Sequence, residues 1–413
     1  MLLRPLRAPL GLALVLALAS ACSGGDEPPA TGTDAPAAVG APAPGPGSAA
    51  PPAASPADEP SGPPAVGLVG RFDTRDPDAP LASWPGARIV ARFEGDAVSV
   101  RLDETVVDEE GGPSEWDVTM DGKLGAKLVL RAGTHDYVLA KGLAAGVHTV
   151  ELYRRSEAQN GVTRFLGFDF EQGKLLAPPR RPERRIEIVG DSQPAAFGVE
   201  GVGQGPDCPG ADWASRYQNF HKSFGARLGE TLAADVHGTV YSGKGIERNI
   251  WRPDKDTMPR IYGRANPLDP ASSWDFKAFS PDAVVVMIGG NDFAEGLPRD
   301  TGTPSVDRFS QVFDAFVKEL RAAHPTAHVF LALSPSLSDA EPAGRGTRTN
   351  VQAGIDAVVA ERAAAGDARV YAVAPRVADV ATELTGCDGH GNDAFHARVA
   401  AELAVVVRAK LGW

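Results

Sequence analysis

The sequence predicts an α/β domain built on a buried parallel sheet and preceded by an all-β domain. From Arg184 onward, near-continuous apolar runs such as Ala283-Val284-Val285-Val286-Met287-Ile288 alternate with segments of helical periodicity. Strands that are apolar on both faces belong to parallel sheets covered by helices on both sides. Residues 66–176 differ: short strand-like stretches follow one another between turns, with no helical period, which is the pattern of a β-sandwich.

The chain has 413 residues, 43% of them hydrophobic, enough for two domains with a sizeable core plus extensions. Its net charge of −12 argues against nucleic acid or an anionic membrane surface as partner and leaves a neutral polymer open. No repeat shows at domain scale.

Residues 1–21 carry Arg4 and Arg7, an apolar run from Leu10 to Leu18, and Ala19-Ser20-Ala21 before Cys22. A short basic region, an apolar core and an A-x-A site form a secretory signal too short to span a membrane. Cys22 directly after the site suggests a lipoprotein signal, with the cysteine lipidated after cleavage. Ala19 stands where such signals usually carry Leu, so plain cleavage after Ala21 is the competing reading. The chain is expected to be exported and lipid-anchored to the cell envelope through Cys22, its only membrane contact. Residues 22–65 are rich in Ala, Pro, Gly and Ser and cannot bury enough surface to order themselves, so they read as a tether.

In the 66–176 segment, Val98-Ser99-Val100-Arg101-Leu102 and Trp116-Asp117-Val118-Thr119-Met120 alternate, and Lys127–Leu130, Tyr137–Leu139 and His148–Tyr153 follow. Pro178, Pro179 and Pro182 stiffen a junction at 177–183. The α/β domain then occupies 184–413. Its first strand is Ile186–Val189. Trp213, Tyr217, Phe220, Phe224 and Leu228 fall at helical spacing, and Thr239-Val240-Tyr241 reads as a strand. After the strand at 283–288, Phe309, Val312, Phe313, Phe316 and Leu320 line one helix face. Val329–Leu333 and Val370–Val373 are further strands, with helices at roughly 349–364 and 397–411.

Polar stretches end three of the strands: Gly190-Asp191-Ser192, Tyr241-Ser242-Gly243-Lys244-Gly245 and Gly289-Gly290-Asn291-Asp292. A fourth, Gly386-Cys387-Asp388-Gly389-His390-Gly391-Asn392, precedes the last helix. Each is ordinary by itself, since Gly, Asp and Ser are common at strand-to-turn junctions. Open α/β sheets place their ligand crevice at the carboxyl ends of the strands, where these stretches converge. Together they supply a serine nucleophile, a histidine to take its proton, and N–H donors for an oxyanion, the inventory of ester hydrolysis.

Gly-Asp-Ser, then Gly, then Gly-x-Asn-Asp, then Asp and His near the C-terminus resembles the SGNH, or GDSL-type, hydrolases. From about Val69 to Leu403 the chain is similar to carbohydrate esterase family 2, acetyl esterases acting on xylan and related polysaccharides. Val69-Gly70-Arg71-Phe72-Asp73, Leu166-Gly167-Phe168-Asp169, Tyr241–Gly245 and Trp274-Asp275-Phe276 carry that likeness, together with Asn291-Asp292-Phe293. The resemblance implies a jelly-roll sandwich packed on a three-layer, flavodoxin-like SGNH domain. It implies Ser192 as nucleophile, with its own N–H, Gly243 and Asn291 as oxyanion donors.

The histidine has two candidates. Asp393-Ala394-Phe395-His396 has the literal Asp-x-x-His spacing of many SGNH enzymes. In the family, the catalytic histidine precedes a short loop and an apolar helix. Counting back from Ala400 and Leu403 selects His390, with Asp388 orienting it. The family's Ile-Thr-Cys-Gly-Tyr-Gly after the serine is here Gln193–Gly198, with Phe197 at the Tyr position, and Gly389 and Gly391 flank the histidine. These departures bear on the acyl pocket and on the aromatic platform for sugar, so the polymer could differ from xylan.

Phe197 and Trp251 are the candidate substrate-binding aromatics, Trp251 being evenly balanced between platform and core. Trp213 and Trp274 read as core, Lys244 as structural, and His221, His237, His324 and His328 as surface or strand residues. No spacing suggests a metal and no cofactor is implied. With Cys22 lipidated, Cys208 and Cys387 are the two remaining cysteines in an oxidising compartment, so they are expected to form a disulfide. The leading expectation is a monomeric, exported esterase acting on acetylated polysaccharide. A non-catalytic carbohydrate-binding protein on the same fold, and an SGNH esterase or acyltransferase working on lipid or cell-wall acyl groups, are the alternatives.

Overall fold

The computed structural model describes residues 62–202, 208–300 and 302–413. The signal at 1–21, Cys22 and all but the last four residues of the tether lie outside the described residues.

Twelve strands form the first part: β1 (Gly67–Val69), β2 (Phe72–Asp73), β3 (Leu81–Ala82), β4 (Arg88–Glu94), β5 (Ala97–Val106), β6 (Glu115–Met120), β7 (Lys123–Leu124), β8 (Leu128–Val129), β9 (Gly133–Lys141), β10 (Val147–Arg154), β11 (Gly161–Asp169) and β12 (Lys174–Leu175). They make two antiparallel sheets, one in the order β1-β4-β10-β6-β7 with β12 on β4 and β8 on β6, the other β2-β3-β11-β5-β9. The alternation read in the sequence has its usual cause. Val98, Val100 and Leu102 of β5 are buried against Ile89, Phe93, Trp116 and Leu152, while Arg101 faces water.

The second part is a five-stranded parallel sheet in the order β14-β13-β15-β16-β17, from β13 (Arg184–Gly190), β14 (Ala234–Val240), β15 (Ala283–Met287), β16 (His328–Ala332) and β17 (Val370–Val373). The chain leaves β13 for β14 on one side and then crosses to β15 on the other. That order puts the switch point, and so the crevice, between the carboxyl ends of β13 and β15. Helices α1 (Ser192–Ala195), α2 (Phe224–Leu232), α3 (Met258–Ile261), α4 (Gly290–Phe293), α5 (Val306–Ala323), α6 (Thr347–Ala364) and α7 (Asp393–Leu411) join and cover the strands. Two cores result. Phe309, Phe313 and Phe316 of α5 pack on one face of the sheet, and Phe224, Leu228, Phe395 and Leu403 on the other.

The helical spacing from Trp213 to Leu228 does not form one helix. Asn219 accepts the N–H of His221 through its side chain, and Ser223 accepts that of Ala226. These side-chain caps break the run, so only α2 is helical beyond a single turn. The last helix starts four residues earlier than expected, because Asn392 caps it on the N–H of Phe395.

A buried ion pair holds the sandwich on the sheet. Arg71, between β1 and β2, donates to Glu187 of β13 at 2.7 Å and sits over the rings of Trp84, Tyr262, Trp274 and Phe276. Thr239 and Tyr262 donate to the same carboxylate, and His324 lies 3.2 Å from it, buried and not on the surface as expected. Arg71 and His324 hold the Glu187 carboxyl well below the usual range despite its burial. This clamp lies on the strand that leads into Ser192.

Candidate active site

Ile186, Ile188 and Val189 are fully buried, which fixes the end of β13 rigidly at the crevice. Gly190 is required there: a Cβ would lie 2.1 Å from the carbonyl oxygen of Met287. The chain then turns into α1, with the Asp191 carboxylate accepting the N–H of Gln193 at 3.3 Å. Ser192 opens that turn and faces the cleft.

His390 Nε2 lies 2.8 Å from Ser192 Oγ, and its Nδ1 lies 3.0 Å from the carbonyl oxygen of Cys387. A carbonyl can only accept, so Nδ1 carries the proton and Nε2 is left to accept from the serine hydroxyl. Burial lowers the His390 pKa, against which the charge of Asp388 and the Cys387 carbonyl act. The loop is pinned from several sides. Cys387 N donates to Gly198 O, Gly391 N donates to Gln193 Oε1, and Cys387 is disulfide-bonded to Cys208 across a Cα–Cα distance of 5.3 Å. Asp388 is exposed, has a left-handed backbone (φ 53°), and lines the cleft beside His390.

Asn291, at the start of α4, donates one amide proton to Lys244 O at 2.8 Å and has only a 3.5 Å contact to Asp191 Oδ2 for the other. Gly243 follows β14 with φ 78°, a conformation open to glycine at no steric cost, and accepts the N–H of Ile250. Asp292 fixes the same loop, its buried carboxylate accepting the N–H groups of Ile246, Glu247 and Arg248. Burial nevertheless pushes it up to about 6. Asp191 is pushed up to about 7 by burial and by the charges of Asp292 and Glu157.

The structure thus brings Ser192, His390, Asp388 and Asn291 to one cleft of about 230 Å³, also lined by Gln193, Ala294, Ser334, Ser336, Leu337, Ser338, Glu341 and Thr347. His396 lies elsewhere. It is fully buried in α7 with Nδ1 accepting the N–H of Phe224.

Neither candidate substrate aromatic lines this cleft. Phe197, expected beside the acyl group, packs on the His390 ring with centroids 4.6 Å apart and on the disulfide cluster, because the loop after α1 turns it inward. Trp251 is 47% exposed, paired through its backbone with Leu297. Lys244 is tied to Asp254. Among the described residues, no group of three or more His, Cys, Asp or Glu is gathered as a metal would need. None of their helices is long and apolar enough to cross a membrane.

Sequence reasoning missed two groups. One is the Cys387 carbonyl, which holds Nδ1. The other is Glu157, a buried acid in the turn between β10 and β11 whose carboxylate accepts both the N–H and the hydroxyl of Ser242. Nothing in Ser156-Glu157-Ala158 marks it.

Comparison with known proteins gives a consistent picture. Residues 68–179 match the carbohydrate esterase 2 N-terminal family and residues 188–400 the GDSL-like lipase/acylhydrolase family. The chain is 31% identical over 345 residues to the cellulase/esterase CelE of Acetivibrio thermocellus, covering 83% of this chain and 39% of CelE. It is 26% identical over 267 residues to an acetylxylan esterase/glucomannan deacetylase of Cellvibrio japonicus, covering 64% of this chain and 70% of that protein. Among solved structures, a family two carbohydrate esterase from Clostridium thermocellum in complex with cellohexaose aligns with a TM-score of 0.75 at 30% identity. That alignment spans 84% of this chain and all of the other.

Proposed function

The chain belongs to carbohydrate esterase family 2, a family of carboxylic ester hydrolases, and we propose that it removes O-acetyl groups from a polysaccharide through an acyl-enzyme. The observation that carries this reading is the 2.8 Å contact between Ser192 Oγ and His390 Nε2, in the one tautomer that can take the serine proton.

In this reading, Ser192 Oγ attacks the acetyl carbonyl carbon as its proton passes to Nε2. The carbonyl π electrons move onto oxygen, and the N–H groups of Ser192 and Gly243 and the second amide proton of Asn291 hold that oxyanion. Collapse expels the sugar oxygen, which takes the proton back from Nε2 and leaves as the free hydroxyl. Water then attacks the acetyl-serine as His390 accepts its proton, the bond from the acyl carbon to Ser192 Oγ breaks, Oγ takes the proton back from Nε2, and acetate departs. The Cys387 carbonyl and the Asp388 charge steady the imidazolium formed at each step.

The names of the relatives support a polysaccharide substrate such as xylan or glucomannan. Export, lipidation of Cys22 and action as a monomer complete the proposal, on the strength of the N-terminal sequence alone for the first two. The test is acetate release from acetylated xylan and glucomannan by the purified protein and by Ser192→Ala. Release by the wild type with none by the folded variant is expected. Substantial turnover by Ser192→Ala overturns the assignment.

A further inference from the structure

We propose that Glu157, delivered by the β-sandwich, is a positioning residue of the esterase site, its carboxylate holding Ser242 so that the Gly243 amide is fixed for the oxyanion. This rests on the reading of Gly243 as an oxyanion donor.

Glu157 is fully buried, yet no cation lies within salt-bridge distance of it in the described structure. Its two carboxylate oxygens divide between the two donors of one residue: Oε2 accepts the Ser242 N–H and Oε1 the Ser242 hydroxyl, both at 2.5 Å. Ser242 immediately precedes Gly243. Burying an acid without a countercharge is costly and is offset here by the two hydrogen bonds from Ser242, so the acid is committed to that residue. Burial accordingly pushes its pKa up to about 7.

The turn that presents Glu157 is itself rigid. Its N–H donates to Gln218 Oε1, and its carbonyl accepts from Asn160 N and Arg154 NH2. Arg155, two residues before it, reaches Asp117 and Glu200. The loop it grips is held independently on its far side, where Asp292 takes three N–H groups from 246–248. The loop from Ser242 to Arg248 is therefore held at one end by an acid of the sandwich and at the other by an acid of the sheet domain. A glycine at φ 78° has broad conformational freedom, and the Glu157 clamp on the residue before it restricts that freedom. The sandwich on this account completes the catalytic geometry as well as packing against the sheet.

The contact depends on reach rather than charge, which separates it from structural glue. Glu157→Gln keeps an oxygen for the Ser242 N–H and an amide that can pair with the hydroxyl. Glu157→Asp keeps the charge but is one methylene short of holding both donors. With a 4-nitrophenyl acetate assay on folded full-length protein, Glu157→Gln is expected to keep kcat within about threefold, as its geometry is retained. Glu157→Asp is expected to lose roughly tenfold to a hundredfold in kcat with KM little changed, because the donor matters only in the transition state. Equal kcat for Glu157→Asp and wild type, with Ser192→Ala inactive, overturns the proposal and leaves the esterase reading standing. Activity in Ser192→Ala overturns the esterase reading instead.

Discussion

His396 Nδ1 accepts the backbone N–H of Phe224 at 3.2 Å. Phe224 is the first residue of α2, so this N–H is one that the helix itself cannot satisfy. With Nδ1 accepting, the ring proton sits on Nε2, which is buried without a hydrogen-bond partner. His396 is thus a packing residue that joins α7 to α2, although its spacing from Asp393 matches a catalytic motif.

The two histidines should therefore fail in different ways. His390→Ala is expected to lose nearly as much activity as Ser192→Ala, since nucleophile and base act as one unit. His396→Ala is expected to keep the chemistry but to lose about 1–3 kcal/mol of stability by leaving the Phe224 N–H unpaired. Burial holds the His396 pKa at about 3, against an ordinary 6.5. Between those values the unfolded chain binds a proton that the folded chain refuses, so stability falls as pH drops through the window. Asp191 and Glu157, raised to about 7, act with the opposite slope. The wild-type minus His396→Gln difference in denaturation free energy isolates the histidine: it should shrink from neutral pH toward acid. Inactivity of His396→Ala with active His390→Ala would reverse the roles.

Much of the site was legible because residue types carried it. Strand-like runs announced β13, β14 and β15, and a polar stretch after each carboxyl end placed Ser192, Gly243 and Asn291 at one edge. The choice of His390 came from counting along α7, whose apolar face sets the register. What stayed hidden was made by backbone or by distance. The carbonyl of Cys387 has no side-chain signature, and Glu157 meets Ser242 across 85 positions and a change of domain. That Phe197 packs on the His390 ring was not legible either, because a substitution pattern gives residue identity without the direction in which a loop turns. The helix expected from Trp213 failed for a local reason, since Asn219 and Ser223 offered the backbone better partners than the next turn.

Acyl-chain preference should favour acetyl. The wall beside Asn291 is closed by Leu337, whose side chain packs so near Gly290 that a Cβ there would lie 2.9 Å from it. Longer chains then meet steric closure, whereas added methylenes in an open pocket would gain about 1–3 kcal/mol each. Across 4-nitrophenyl acetate, butyrate and octanoate, kcat/KM is expected to fall steeply. Leu337→Ala should bring butyrate closer to acetate. Flat or rising rates in the wild type would favour the lipid-directed alternative.

The disulfide should matter to both stability and turnover. Cys208 and Cys387 close a loop with a sequence separation of 179, and loss of a native disulfide typically costs about 2–5 kcal/mol. Cys387 also carries the carbonyl that holds His390 Nδ1, so freeing it loosens the base. Cys208→Ala/Cys387→Ala is expected to unfold at lower temperature and, while still folded, to lose kcat severalfold at similar KM. Unchanged kcat would show that Gly198 and Gln193 hold the loop without the bridge.

Asp388 allows the sharpest test of how the base is tuned. His390 must be neutral to accept the serine proton, so kcat/KM rises with pH through its pKa. Burial lowers that pKa from the ordinary 6.5, placing the acid limb below it. The Asp388 carboxylate acts in the opposite sense, favouring imidazolium and so raising the value. Asp388→Asn removes the charge, keeps the side-chain shape, and suits the left-handed backbone at φ 53°. Its acid limb should therefore lie at still lower pH than the wild type's. The plateau should fall only about threefold to tenfold, because an exposed carboxylate stabilises the imidazolium weakly and the Cys387 carbonyl remains in place. Raising the salt concentration should narrow the difference between the two proteins. A variant as inactive as His390→Ala would make Asp388 indispensable to the base. A limb and plateau both unchanged would leave Ser192, His390 and the Cys387 carbonyl as the whole proton-transfer apparatus.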